Sequence, residues 1–120
     1  MMKVKDIFLF LLIAVLTLSF IHCSSALKQN QLQFGIMAAK NDLWDEAIFR
    51  WKKVILSNPQ SASAHNNLAV AYEKKGLQGE AEKEYEIAIK LSPSNKYIQS
   101  NYQKFKKTNE NKKNIHNKTE

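Results

Sequence analysis

The chain is poor in the residues that build most catalytic sites. Its 120 residues include one cysteine, Cys23, which excludes an internal disulfide and a cysteine-based zinc site. The three histidines, His22, His65 and His116, are too scattered to share a metal-ligand spacing. Three isolated glycines exclude a glycine-rich phosphate loop. Glu80, Glu82, Glu84 and Glu86 alternate, but residues two apart on a helix do not face each other. They read as a solvated face shared with Lys83 and Lys90. No nucleophile and base pair up, so neither an enzyme nor a bound cofactor or metal is expected.

The formal charge of +7 invites a nucleic-acid reading. Its distribution argues otherwise. Lys3 and Lys5 belong to an N-terminal leader, and Lys106, Lys107, Lys112, Lys113 and Lys118 to a C-terminal tail. The middle carries both signs interleaved, with no basic stripe bearing stacking aromatics.

The leader MMKVKDIFLFLLIAVLTLSFIHCSSA has two lysines and then an apolar run from Ile7 to Ile21. That is the charge and length pattern of a secretory signal. It is short for a membrane-spanning helix, which needs about 20 residues, although an uncleaved anchor stays an alternative. Two cleavage patterns compete at its end. Ser24-Ser25-Ala26 suits ordinary signal peptidase, which would discard residues 1–26. The stretch FIHC followed by two serines resembles a bacterial lipoprotein signal, which implies a signal of residues 1–22, a lipid on Cys23 and a short linker over 23–27. Phe20 and His22 depart from the residues that family prefers before its cysteine. Either route implies export to a bacterial envelope, membrane-anchored or periplasmic.

Prolines are as scarce as cysteine is rare, and their placement is informative. Pro59 and Pro93 lie 34 residues apart. A shift of that length also superposes Lys40 on Lys74, Leu43 on Leu77, Glu46 on Glu80, Ala47 on Ala81 and Ile55 on Ile89. Residue types agree as well: Phe34 with Leu68, Gly35 with Ala69, Ile36 with Val70, Trp51 with Tyr85. A fixed period of this length marks a repeat architecture. Within the second copy, Leu68, Ala69, Ala71 and Tyr72 form one helical stripe, and Ala81, Tyr85, Ala88, Ile89 and Leu91 another. Gly76 stops the first helix and Pro93 the second. The result is an antiparallel helical hairpin, with small Ala69 and Ala81 where backbones approach and Tyr72 and Tyr85 beside them.

At these residues the chain resembles the tetratricopeptide repeat family. Residues 62–95 carry its pattern as His65, Leu68-Ala69, Tyr72, Ala81, Tyr85, Ala88 and Pro93, with His65 in place of the usual tryptophan. Residues 28–61 resemble a more divergent copy: Gln31, Phe34-Gly35, Ala38, Ala47, Trp51, Val54 and Pro59. The fold expected is all-α, two tetratricopeptide hairpins forming a solenoid fragment. A stack of two leaves an apolar face open, so a terminal cap is needed. Residues 96–107 supply a capping helix with Ser94 as its N-cap and Tyr97, Ile98, Tyr102 and Phe105 as its stripe. The Asn- and Lys-rich segment 108–120 is expected to be a disordered tail.

The resemblance implies recognition of a protein or peptide on a concave surface lined by the first helix of each repeat. Carried over by position, that lining is Gln29, Leu32, Gln33, Ile36 and Lys40, then Ser63, Asn66, Asn67, Val70, Glu73 and Lys74. Leu32, Ile36 and Val70 lie off the core stripe and suit either an apolar strip in the groove or interhelical packing. Asn66 and Asn67 offer amides that both donate and accept, suited to an extended peptide backbone. Some family members clamp a peptide carboxylate with Lys and Asn in the first repeat. Leu32 and Ile36 occupy the matching places, so no such clamp is implied. Self-association through the terminal faces, as a scaffold module, is the alternative use.

Overall fold

The computed structural model describes residue 1 and residues 3–116, with side chains described outside 18–29 and as far as residue 115. Among the described residues the chain is all-α, as expected. It has five helices: α1 (Val4–Lys40), α2 (Trp44–Ser57), α3 (Ala62–Lys74), α4 (Gln78–Leu91) and α5 (Lys96–His116). Two compact units are present, Met1–Asn30 and Gln31–Glu120.

The first unit is helical from Val4. Its apolar side chains from Ile7 to Leu16 are exposed. Among the described residues no helix is long and apolar enough to cross a membrane. The backbone stays helical across 23–27, which replaces the expected linker. No proline or glycine interrupts Ser24-Ser25-Ala26-Leu27, so nothing stops the helix there. The side chains of Cys23 and His22 lie outside the described residues.

In the second unit the repeat is visible in the backbone itself. The α1–α2 turn closes with Leu43 N–H donating to Ala38 O at 2.9 Å, and the α3–α4 turn with Leu77 N–H donating to Tyr72 O at 2.9 Å. Asp42 and Gly76 stand at the same place in these two turns, both left-handed, with φ of 57° and 76°. Glycine meets that demand without cost, whereas Asp42 carries it with a Cβ. The helices after each turn end alike, Asn58 N–H donating to Val54 O and Ser92 N–H to Ala88 O.

The cores follow the stripes. In the first, Trp51 is buried with Ala38, Ala47, Leu68 and Ala71, flanked by half-buried Leu32, Ile36 and Tyr72. The Trp51 ring lies against the backbone of Gly35. In the second, Ala69, Ala81, Tyr85 and Phe105 pack together, with the Tyr85 and Phe105 ring centroids 5.2 Å apart. Burying side chains of this size contributes about 1.5–3 kcal/mol each.

Helix α5 covers the open end as a cap should, burying Ile98 and Phe105. Three details differ from expectation. Asn95, not Ser94, caps it, its Oδ1 accepting from Tyr97 N–H at 3.0 Å and Ile98 N–H at 3.3 Å. Tyr97 falls off the buried stripe and is exposed. The helix continues to His116, so residues 108–116 are helical where a disordered tail was expected. They contain no proline or glycine, and once the turn around Phe105 is fixed by packing, extending a helix costs little. Residues 117–120 lie outside the described residues.

Candidate functional site

Each hairpin is fastened by a polar pair at the same register. In the first, Arg50 Nη1 donates to Gln31 Oε1 at 3.1 Å. In the second, 34 residues on, His65 Nδ1 lies 2.6 Å from Glu84 Oε2 and its Nε2 lies 2.9 Å from the Pro59 carbonyl. His65 is buried. Both its ring nitrogens are engaged, so it ties α3 to α4 and to the preceding turn. Glu84 is therefore a structural partner, not part of a solvated glutamate row. The signal was present in the sequence: polar residues 19 apart in both copies, where the family pattern places tryptophan first.

With the hairpins held this way, the helices line an open cavity of about 530 Å³. From α1 it is lined by Leu32, Ile36, Ala39 and Lys40, from α2 by Trp44 and Trp51, and from α3 by Ser63, Asn66, Asn67 and Val70. Asn95, Tyr97 and Ile98, at the entry to α5, complete it.

Seven of the expected lining residues therefore converge: Leu32, Ile36, Lys40, Ser63, Asn66, Asn67 and Val70. The two readings of Leu32, Ile36 and Val70 merge, because each packs against a core cluster and also faces the cavity. Gln33, Glu73 and Lys74 do not line it. Glu73 turns instead to α4, accepting from the Tyr85 hydroxyl at 3.1 Å. Burial first, and then the Glu73 carboxylate, push the Tyr85 phenol well above its ordinary range. The side chain of Gln29 lies outside the described residues.

Asn66 departs from its expected role. It is almost fully buried, donating from Nδ2 to Asn67 Oδ1 at 3.3 Å and accepting from Asn101 Nδ2 at 3.1 Å. It joins α3 to α5, and half-buried Asn67 stands at the cavity end of this relay. The contribution of α5 to the lining was missed because Tyr97 reads as a cap residue until the helix entry is placed. Chemically the site offers an apolar floor, several amides and one ammonium, Lys40. That inventory suits binding.

Residues 62–95 match the family model of the tetratricopeptide repeat. Modules of this kind generally mediate protein–protein interaction and are typically non-catalytic. A 50-residue stretch is also 44% identical to Protein O-mannosyl-transferase TMTC4 of Mus musculus. The match takes in 42% of this chain and 7% of that protein. The transferase name belongs to a protein of which the match spans a small fraction.

Proposed function

We propose that this chain is a non-enzymatic protein–protein interaction module of a bacterial cell envelope, receiving a peptide or a segment of a partner protein in the α1–α3–α5 cavity. The observation that carries this reading is the cavity's make-up. Leu32, Ile36, Val70 and Ile98 form an apolar floor beside the amides of Asn67 and Asn95. An extended chain placed there buries side chains and satisfies its backbone groups together.

The same reading holds the module at a membrane. Its support is the pattern of Lys3 and Lys5, an apolar run from Ile7 to Ile21, and Cys23 at the junction. Lipid on Cys23, or the apolar segment itself, is the tether. Intact-mass measurement of the mature protein checks this: an acylated start at residue 23, absent in Cys23→Ala, supports the lipid, and a mature start at Leu27 overturns it.

The binding claim is tested with peptides selected from a random display library against the purified chain. Ile36→Glu and Asn67→Ala are expected to weaken the selected peptides at least about tenfold, equivalent to about 1.4 kcal/mol. Undiminished affinity in both variants would move the site elsewhere.

A further inference from the structure

The first hairpin has an outward face that the repeat register marks as uncovered. Phe34 and Met37 precede Leu68 and Ala71 by one period. Leu68 and Ala71 pack into the cluster of Trp51 and Ala47 and are 2% and 0% exposed. Phe34 and Met37 are 49% and 58% exposed. Phe49 and Leu56, two turns apart on one face of α2, are 49% and 83% exposed.

Cations stand among these apolar groups. The Arg50 guanidinium lies 5.6 Å from the Phe34 ring centroid and 5.8 Å from that of Phe49. The Lys53 ammonium lies 4.4 Å from the Phe49 centroid. The nearby carboxylates are already matched, Glu46 to Arg50 at 2.6 Å and Asp45 to Lys75 at 3.0 Å.

We infer that this face rests on an anionic phospholipid surface. Exposed phenylalanine, leucine and methionine side chains, with a long cationic side chain over the aromatic ring, make an interfacial surface: apolar groups enter the headgroup boundary while the ammonium stays at phosphate level. A second copy fits less well, since Arg50 is already matched by Glu46 and a symmetric contact brings the two Lys53 ammonium groups toward each other with no carboxylate left between them. Head-to-tail stacking is also blocked, because α5 covers the far end of the repeats. The inference rests on the proposed membrane tether. Phe34 follows Ile21 by 13 residues, so the first hairpin is the part of the repeats nearest the tether along the sequence.

The test uses the full chain carrying Phe49→Trp, or Lys83→Trp at the matching exposed place on α4. Each is mixed with vesicles of brominated phosphatidylglycerol or of brominated phosphatidylcholine. Flotation reports the tether, and quenching in excess of that of the unaltered chain, which carries Trp44 and Trp51, reports the face. Both variants are expected to float. Position 49 is expected to be quenched several-fold more than position 83, more strongly on phosphatidylglycerol, and less when Phe34→Ser and Lys53→Glu are added. Flotation with equal quenching at both positions overturns the docking face and leaves the tether standing. Failure to float overturns both. Shielding of position 49 that rises with protein concentration in the absence of vesicles would assign the face to a second copy and overturn the lipid assignment.

Discussion

Trp51 Nε1 donates to the Leu32 carbonyl at 3.3 Å, and this bond brings the indole against the backbone of Gly35. A methyl group at position 35 would fall 2.7 Å from Cδ1 and Cε2 of that ring. In the second repeat the equivalent pair is Ala69 and Tyr85, so the larger aromatic of the first repeat is matched by the smaller backbone partner. Gly35→Ala is therefore expected to destabilise the fold by about 1–3 kcal/mol through overpacking. Gly79→Ala, in a helical position with open space around it, is expected to stabilise by about 0.5–1 kcal/mol. Urea denaturation of the two variants side by side checks both signs.

The His65–Glu84 clasp gives a second prediction. Removing the imidazole leaves a buried gap and frees Glu84, so His65→Ala is expected to cost about 2–4 kcal/mol. A double-mutant cycle with Glu84→Gln should give a coupling of about 1–2 kcal/mol. The more exposed Gln31–Arg50 pair should couple more weakly. Equal coupling in the two hairpins would show that burial of the second pair adds nothing.

These positions show what the sequence conveyed and what it did not. The period, the two hairpins and the alanine contacts were legible because a helix stripe and a fixed repeat are local patterns. The clasp was only half legible: a polar residue at the usual tryptophan place marks one end, but which residue 19 positions on it meets is fixed only once α3 and α4 are folded together. The helical reach of α5 past Lys107 was masked by composition, since Asn and Lys signal solubility without forbidding a helix. Seven of the expected lining positions are brought to one cavity because they lie on the inner face of helices already placed. Asn95 and Tyr97 did not, because their part in the cavity depends on where α5 enters.

Asp42 offers a gain in stability. It holds φ 57° at the turn where the second repeat has Gly76. Asp42→Gly relieves that conformation at the cost of a more flexible unfolded chain, with an expected net gain of about 0.5 kcal/mol. Asp42→Val, branched at Cβ, should lose about 1–2 kcal/mol. Thermal melts of the three proteins should order as Gly, Asp, Val.

Tyr85 predicts an alkaline weakness. Burial, followed by Glu73, raises its folded pKa above the ordinary value of 10.0. As pH rises the unfolded chain gives up this proton first, so the contribution is complete below about pH 10 and is lost above it. Tyr85→Phe should cost about 1 kcal/mol near neutrality through the lost hydrogen bond. The same variant should show a shallower fall in urea midpoint between about pH 9 and pH 11 than the unaltered chain. Parallel curves would mean that the buried phenol is not the group responsible.

The most direct test of the account is to map a library-selected peptide on the full chain by proton–nitrogen correlation spectra. Binding in the cavity predicts that the largest shifts fall on Leu32, Ile36, Asn67 and Val70 and on the Asn95–Ile98 entry of α5, and that they vanish in Ile36→Glu. Shifts concentrated on the outer faces of α2 and α4, with Ile36→Glu binding as well as the unaltered chain, would contradict it.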